Sequence, residues 1–337
     1  MDLPADIFRS IQRDYAGKSV CVTGGAGFIG GHLVDTLLAA GSRVSVIDDL
    51  SSATLDHLAE HIELQPDALR FVYGSILDDR ALHDAIEGAE VVFHLAAMGS
   101  VPRSMLEPAR TFEVNASGTL RVLESARRHD ARRVVIAASS SAYGNPPSLP
   151  CSESMPTSPA SPYAASKIAC ESLARAWSQA YGLSTACLRY FNIFGPRQRA
   201  DSAYAAVVAA FAARLLAGQR PVIFGDGLQS RDFTYVSNAV HATLLAGASP
   251  RQLSGEVTNI GTGGSTSLLE LASLMGEILT GQSLDPVFQT ERTGDVRDSR
   301  ADITRARELL GYQPIASLRE GLVQTCHWYR AAAEAQA

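Results

Sequence analysis

Short apolar runs alternate with amphipathic segments through the first half of the chain. The runs indicate buried parallel strands because they are brief, apolar and bounded by glycine or polar residues. They lie at residues 19–23, 43–47, 69–73, 91–95, 134–138 and 184–190. Segments with helical spacing separate them, so the pattern predicts an α/β fold with a doubly wound parallel sheet.

The regular alternation ends near residue 190. Shorter elements follow, among them a helix at 204–216 and a strand at 222–224. We therefore predict a dinucleotide-binding domain at 1–190 and a smaller, mainly substrate-binding α/β lobe at 191–337. A strand near 256–261 is expected to return to the main sheet.

A glycine-rich loop joins the first strand to the first helix of that sheet. Gly24, Gly27 and Gly30 follow the strand at 19–23 directly, and an amphipathic segment then runs to Ala40. Such glycines allow a tight turn and a close approach of the backbone to a pyrophosphate, which the helix N-terminus then faces. A glycine pattern alone is weak, but this one has the strand and helix context that a Rossmann-type dinucleotide site requires.

An acidic pair, Asp48 and Asp49, ends the second strand. A carboxylate about twenty residues beyond the glycines suits the ribose hydroxyls of a dinucleotide and repels a ribose phosphate. We therefore predict NAD rather than NADP, with Asp48 as the ribose ligand. Asp49 is better explained as part of a solvated turn.

The candidate chemistry lies between residues 139 and 167. Ser161 suits a helix N-cap and Pro162 the first helical position, which places Tyr163 and Lys167 one turn apart on one face. An adjacent ammonium favours the phenolate, and a phenolate can accept the proton of a sugar hydroxyl. Ser139, at the end of the preceding strand, could orient that hydroxyl. Taken alone, the Tyr–Lys spacing is ordinary for a helix surface.

Together, these motifs resemble the extended short-chain dehydrogenase/reductase family, and within it the bacterial nucleotide-sugar 4-epimerases, in particular those acting on UDP-N-acetylglucosamine. The resemblance extends from about Lys18 to Tyr329. It implies NAD as cofactor and Ser139, Tyr163 and Lys167 as catalytic residues. The cofactor-binding residues that it implies are Gly24, Gly27, Phe28, Ile29, Gly30, Asp48, Leu50, Ser51, Ser75, Ile76, Leu95, Ala96, Ala97, Asn115, Tyr163, Lys167 and Phe191. Ser75 departs from the family, in which an aspartate holds the adenine.

The same resemblance implies a nucleotide-sugar site. Arg231 and Arg292 would bind the pyrophosphate, where a planar guanidinium can hold two oxygens, and Asp295 would bind the uridine ribose. The uracil pocket would comprise Ala206, Val207, Phe211, Val222 and Phe224. The other residues assigned to the substrate are Ser100, Ser139, Ser140, Ser141, Asn192 and Ser299.

Two positions at which members of the family differ from one another distinguish between the possible reactions and substrates. Dehydratases and decarboxylases of the family place an acidic residue just after the catalytic serine or threonine, whereas this chain has Ser140 and Ser141. Epimerisation at C4 is therefore favoured. Ser299 matches a position where a bulky tyrosine would exclude an N-acetyl group, so we expect UDP-N-acetylglucosamine and UDP-N-acetylgalactosamine. UDP-glucose/UDP-galactose and the uronic acid forms are the alternatives, and an NAD-dependent binding or regulatory protein is the alternative of another class.

Composition excludes other classes of function. The chain has 337 residues, 46% of them hydrophobic, and a net charge of −6, which argues against nucleic-acid binding. Five scattered cysteines predict neither disulfides nor zinc and favour a reducing cytoplasm. No apolar run is long enough to span a membrane, and His57 and His61 lack a third metal ligand.

The resemblance also implies an oligomeric state. Relatives dimerise through helices that correspond to 104–128 and 162–181, so we expect a homodimer.

Overall fold

A computed structural model describes residues 3–199, 206–291 and 296–335. The strands in these parts of the chain are β1 Ser19–Thr23, β2 Arg43–Asp48, β3 Leu69–Tyr73, β4 Val91–His94, β5 Arg133–Ser139, β6 Ser184–Tyr190, β7 Ile193–Phe194, β8 Val222–Phe224, β9 Ser230–Arg231, β10 Thr234–Tyr235, β11 Ser254–Ile260, β12 Thr266–Ser267, β13 Val287–Gln289 and β14 Asp298–Ser299. The helices are α1 Ala5–Tyr15, α2 Phe28–Ala39, α3 Ala59–Leu64, α4 Asp79–Ile86, α5 Val101–Leu106, α6 Pro108–Phe112, α7 Gly118–Arg128, α8 Pro162–Tyr181, α9 Val207–Leu216, α10 Val236–Ala248, α11 Leu268–Thr280, α12 Thr304–Leu310 and α13 Leu318–Glu334.

The main sheet contains seven strands in the order β11-β6-β5-β4-β1-β2-β3. Every neighbouring pair is parallel. The strand order reverses direction between β1 and β4, which is where ligands bind in open α/β sheets. The Rossmann-type fold predicted from the sequence is confirmed.

Smaller sheets carry the strands that follow β6. Strand β7 pairs with β10, and β8 pairs with β13, both in parallel. Strand β9 lies between β12 and β14, antiparallel to the former and parallel to the latter. This three-stranded sheet brings residues from the C-terminal part of the chain towards the end of the main sheet.

The two faces of the main sheet are covered by separate apolar cores. One core is packed around Leu33, Leu37 and Val240, from α2 and α10, and the other around Leu82 and Val122, from α4 and α7. Coverage on both faces explains why the central strands are apolar along their whole length rather than alternating.

Helix α8 begins and ends where its sequence predicts. The Ser161 Oγ accepts a hydrogen bond from the backbone N–H of Ala164 at 3.2 Å, and Pro162 occupies the first turn. Gly182 ends the helix with a left-handed φ of 72°, a conformation that glycine adopts without strain. These local signals fix where the helix starts and where it ends.

The helical region at 101–128 is interrupted twice. Pro108 starts a separate helix after Glu107, and a π-helical turn follows at Glu113–Ser117. Proline cannot continue a helix because it lacks the N–H and its ring clashes with the preceding turn. The π turn inserts one residue and rotates the side chains on either side of it relative to each other.

Two further features concern the cysteines and the apolar character of the helices. All five cysteines are buried and form no disulfide. Among the helices in the described ranges, none has the length and apolar character needed to cross a bilayer.

Candidate active site

A deep cleft runs along the carboxyl ends of the main-sheet strands. Its volume is about 1780 Å³, and it is lined by the glycine loop, the ends of β2, β4 and β5, the start of α8, and residues of β9 and β14. The predicted residues that line it are Gly24, Gly27, Phe28, Ile29, Gly30, Asp48, Ser51, Ser75, Ile76, Leu95, Ala96, Ala97, Ser100, Ser139, Ser140, Ser141, Tyr163, Lys167, Asn192, Arg231 and Ser299.

The glycine loop has the shape that a dinucleotide phosphate needs. Gly24 has a φ of +73°, and a Cβ there would lie 2.6 Å from the backbone nitrogen of Ala96. A Cβ on Gly30 would overlap the carbonyl oxygen of Gly24. Helix α2 starts at Phe28, and no described side chain caps its N-terminal N–H groups. Those N–H groups, at the positive end of the helix dipole, suit an anion.

The carboxylate of Asp48 lies at the end of β2, beside this loop. It accepts hydrogen bonds from the backbone N–H of Ala26 at 3.0 Å and of Leu50 at 2.9 Å. Burial raises the pKa of Asp48, and the two backbone hydrogen bonds act in the opposite direction. The carboxylate is therefore held in one orientation in the cleft wall, and its contact with the ribose stays a prediction.

Ser75, which departs from the family pattern, also lines the cleft. Its Oγ accepts a hydrogen bond from the backbone N–H of Leu77 at 3.2 Å and so closes a tight turn after β3. The Ser75 hydroxyl and the neighbouring Ile76 thus form part of the wall at the end of the cleft near Asp48.

Ser139, Tyr163 and Lys167 come together on one side of the cleft. Ser139 is the last residue of β5, and its Oγ accepts hydrogen bonds from the Ser141 hydroxyl at 2.9 Å and the Ser141 N–H at 3.2 Å. Lys167 is only 5% exposed, and its Nζ donates to the carbonyl oxygen of Ala137 at 2.9 Å. The ammonium is therefore fixed to the strand that carries Ser139. Tyr163, one turn earlier on α8, lines the same cleft.

His94 supports this arrangement from beneath, although no sequence pattern marks it. It ends β4, is 3% exposed, and bonds the hydroxyls of Thr23 at 2.7 Å and Thr119 at 2.9 Å. Because Thr119 donates its own proton to the Asn115 carbonyl, the histidine Nε2 must donate and its Nδ1 must accept. Burial, and secondarily the charge of Lys167, lowers the pKa of His94 to about 3. The ring is therefore neutral and fixes the start of the 95–97 segment.

The opposite wall of the cleft comes from β9 and β14. Arg231 and Ser299 are partners across these two parallel strands. The Arg231 guanidinium donates to the backbone oxygens of Ser230 at 2.9 Å and Arg297 at 2.8 Å. Ser299 is 9% exposed and contributes only a small side chain to this wall. Asn192 lines the cleft between the two walls with a left-handed φ of 40°.

Several predicted site residues do not line the cleft. They are Leu50, Asn115, Phe191, Ala206, Val207, Phe211, Val222 and Phe224. Asn115 is 1% exposed, and its side-chain amide is engaged by the backbone of Met98 and the hydroxyl of Ser166. Phe191 is packed beside Tyr143, and Leu50 packs against the core. The structure does not place these side chains in the cleft wall, and their contact with the cofactor stays a prediction.

The uracil pocket expected at the start of α9 and in β8 is also not part of the cleft wall. Phe211 is 1% exposed and belongs to the core, and Val207 packs against that core. Ala206 is exposed, while Val222 and Phe224 are partly exposed on a strand paired with β13. The part of α9 that lines the cleft is its end, at Ala213, Leu216 and Ala217. Arg292 and Asp295 lie outside the described residues.

The family follows from comparison with known proteins. The model of the NAD dependent epimerase/dehydratase family matches residues 20–261. The chain belongs to this family, and NAD is its cofactor. The resemblance to extended short-chain dehydrogenases is thereby confirmed, and the glycine loop, the uncapped N-terminus of α2 and Asp48 fit that cofactor.

Individual relatives extend over almost the whole chain. A UDP-glucose 4-epimerase of Mycolicibacterium smegmatis is 43% identical, covering 92% of this chain and 97% of its own. The structure of a UDP-glucose 4-epimerase from Thermotoga maritima with UDP-glucose is 39% identical with a TM-score of 0.87, covering 94% of this chain and 99% of its own. A UDP-N-acetylglucosamine 4-epimerase from Methanobrevibacter ruminantium in complex with UDP-N-acetylmuramic acid is 36% identical, with the same TM-score and the same coverage.

Proposed function

We propose that the preferred pair of this UDP-sugar 4-epimerase is UDP-N-acetylglucosamine and UDP-N-acetylgalactosamine. The observation that carries the reaction is that Ser139, Tyr163 and Lys167 line one cleft together with the glycine loop, with Lys167 bonded to the strand that ends in Ser139. Relatives named as UDP-sugar 4-epimerases, which resemble the chain from end to end, support the same reaction.

The chain's residues divide the chemistry at C4 between them. The Tyr163 phenolate accepts the proton of the C4 hydroxyl, which Ser139 orients from the end of β5. Lys167, one turn later on α8, is held by the Ala137 carbonyl and brings its ammonium to the same cleft. NAD, which the glycine loop and Asp48 would hold, would supply a reversible acceptor for the C4 hydride, so the cycle would involve no net oxidation of the sugar. Tyr163 then gives its proton back to the new hydroxyl.

The walls of the cleft favour epimerisation over elimination of water. Elimination at C5 and C6 needs a further acid beside the catalytic serine. The carboxylates that line the cleft within the described residues are Asp48, Asp49, Asp56 and Asp298. None of them belongs to the wall at 139–144. Glu153, farther along the chain, binds the backbone N–H of Asn259 instead.

The preference for an acetylated sugar rests on Ser299. Its side chain lines the cleft from β14, where it is paired with Arg231. A hydroxymethyl group leaves space for an N-acetyl substituent that an aromatic ring would occupy. One such substitution changes discrimination by only a few kcal/mol, about 10- to 200-fold in relative rate, so the unacetylated pair should remain a poorer substrate.

The exposed surface of helices α5 to α8 supports a homodimer. It carries the large apolar side chains Met105, Leu106, Phe112, Leu120 and Tyr181, all exposed. Helices α5, α6 and α7 all pack against α8, and exposed apolar patches commonly mark a protein interface. We assign this surface, on α5–α8, to contact with a second copy of the chain.

Direct assay decides the proposed function. Purified protein is incubated separately with UDP-N-acetylglucosamine, UDP-glucose and UDP-glucuronic acid, and the products are separated by chromatography. Formation of the C4 epimer, fastest with the acetylated sugar, is the expected result. Faster turnover of another pair would overturn the substrate preference, and no epimer from any pair would leave an NAD-binding role.

A further inference from the structure

A buried ion pair lies directly behind the candidate active site. Glu171 is one turn beyond Lys167 on α8, and Arg189 is the penultimate residue of β6. The guanidinium binds the carboxylate through two hydrogen bonds, from Nε at 2.8 Å and from Nη2 at 2.7 Å. The Glu171 side chain is 8% exposed and the Arg189 side chain is 4% exposed. Such a two-pronged contact fixes orientation as well as distance.

The same guanidinium also contacts the wall that carries Ser139. It stacks on the ring of Tyr143 with its central carbon 4.5 Å from the ring centroid. Tyr143 ends the 3₁₀ turn that begins immediately after Ser139. Its hydroxyl donates to the Asn259 Oδ1 at 2.7 Å. Arg189 therefore lies between the helix that bears Tyr163 and the turn that follows Ser139.

Asn259 extends this network to the opposite wall. Its Nδ2 donates to the carbonyl oxygens of Cys151 at 2.9 Å and Asp302 at 3.2 Å. The Cys151 N–H in turn donates to the Arg300 carbonyl at 2.7 Å, next to Ser299. A continuous set of contacts thus joins α8 to both sides of the sugar pocket.

Stability alone does not account for a pair of this kind. Desolvation of two charges usually cancels their attraction, and apolar replacements of similar size are often equally stable. Here the remaining guanidinium nitrogen, Nη1, has no hydrogen-bond acceptor among the described residues, and the guanidinium faces the Tyr143 ring instead. What the pair provides beyond apolar packing is fixed geometry between α8, β6 and Tyr143.

We propose that Glu171 and Arg189 are positioning residues. They hold Tyr163 and Lys167 at a fixed distance and orientation relative to Ser139 and to the wall that contains Ser299. The inference rests on the proposed function, since it assigns the pair to the same reaction. Neither residue lines the cleft, so both act through the elements that they join. A displacement of catalytic groups by about 1 Å can lower turnover about 100-fold.

Kinetics of two variants test the role. Arg189→Lys removes the guanidinium and with it the two parallel hydrogen bonds to Glu171. The double variant Glu171→Met/Arg189→Met replaces the pair by apolar side chains of similar length. We expect kcat per folded molecule to fall at least tenfold in both, while KM and the Kd for UDP change less than twofold. Arg133→Lys is the matched control, because Arg133 is a buried arginine that binds backbone carbonyls at the opposite end of the sheet. A double variant with the turnover of the wild type would overturn the proposal.

Amide hydrogen exchange provides a readout that does not depend on turnover. In Arg189→Lys, amides of residues 139–144 and 163–167 should exchange faster, whereas in Arg133→Lys they should not. Unchanged exchange in these segments would overturn the positioning role. If the wild type epimerises no UDP-sugar, the proposed function has failed, and the exchange result still decides whether the pair fixes these segments.

Discussion

The Lys167 ammonium lies 2.9 Å from the carbonyl oxygen of Ala137, two residues before Ser139 on the same strand. This hydrogen bond ties the first turns of α8 to the end of β5, which are far apart in sequence. The side chains of Ser139, Tyr163 and Lys167 are thereby presented to one cleft. The proposed proton transfer depends on this hydrogen bond, because the Tyr163 and Ser139 side chains must reach the same sugar hydroxyl.

The close packing of the glycine loop predicts that substitutions at two adjacent glycines have different effects on NAD binding. Gly30→Ala should abolish or strongly weaken NAD binding, or prevent folding, because its Cβ would overlap the Gly24 carbonyl. Gly31→Ala is the control, since the nearest atom to a Cβ there is 3.7 Å away. NAD content after purification and calorimetric NAD affinity are the measurements. Equal NAD affinity in the two variants would contradict this account of the loop.

His94 predicts a specific dependence of stability on pH. Its pKa in the folded protein is about 3, well below the ordinary histidine value of 6.5. Below pH 6.5 the unfolded chain therefore binds a proton that the folded chain does not. Stability from this residue is complete above that pH and falls by about 1.4 kcal/mol per pH unit as the pH drops towards about 3.

Urea unfolding at several pH values between about 7 and about 5, the range in which histidine ordinarily titrates, measures this effect. The free energy of unfolding of His94→Gln should fall less steeply with decreasing pH than that of the wild type, by about one proton. The exposed His327 supplies the control, because His327→Gln should follow the wild type. Parallel curves for His94→Gln and the wild type would show that His94 is not held neutral in the fold.

Ser299 predicts a change of substrate preference. Ser299→Tyr should lower kcat/KM for UDP-N-acetylglucosamine by about 10- to 200-fold, because the ring fills the space assigned to the acetyl group. Turnover of UDP-glucose should change little. Ser299→Ala keeps the space open and should retain the preference of the wild type. Unchanged turnover of UDP-N-acetylglucosamine in Ser299→Tyr would show that Ser299 does not determine the substrate preference.

Self-association through the α5–α8 surface can be tested by placing charge on it. Leu106 is 71% exposed on α5, and Leu106→Glu together with Leu120→Glu should convert a dimer to a monomer in sedimentation velocity experiments. Leu64→Glu, at a position 67% exposed on α3, should leave the dimer intact. Wild-type protein that sediments as a monomer, or a double variant that remains dimeric, would show that this surface is not the interface.

The parts of the site that can be predicted from the sequence are those fixed by local signals. Ser161, Pro162 and Gly182 determine where α8 starts and ends, so the helical spacing alone places Tyr163 and Lys167 on one face. The glycine loop and Asp48 are predictable for the same reason, since each follows directly from the end of a strand.

The local sequence does not determine the residues for which packing between distant elements decides which way a side chain points. Asn115 lies in a π turn that directs its amide to Met98 and Ser166 instead of the cleft. Phe211 lies on a helix whose packing against the core cannot be derived from its own segment. The role of His94 escapes prediction because a single histidine at the end of an apolar strand has no local pattern that marks it.

The central claim is that the Tyr163 hydroxyl exchanges the proton at C4. Tyr163→Phe removes only that oxygen, and the most direct measurement is its kcat for the preferred UDP-sugar, with NAD content and thermal stability recorded alongside. We predict a loss of about 10²- to 10⁴-fold in kcat, with NAD content and stability like those of the wild type. Full turnover in Tyr163→Phe would contradict the mechanism.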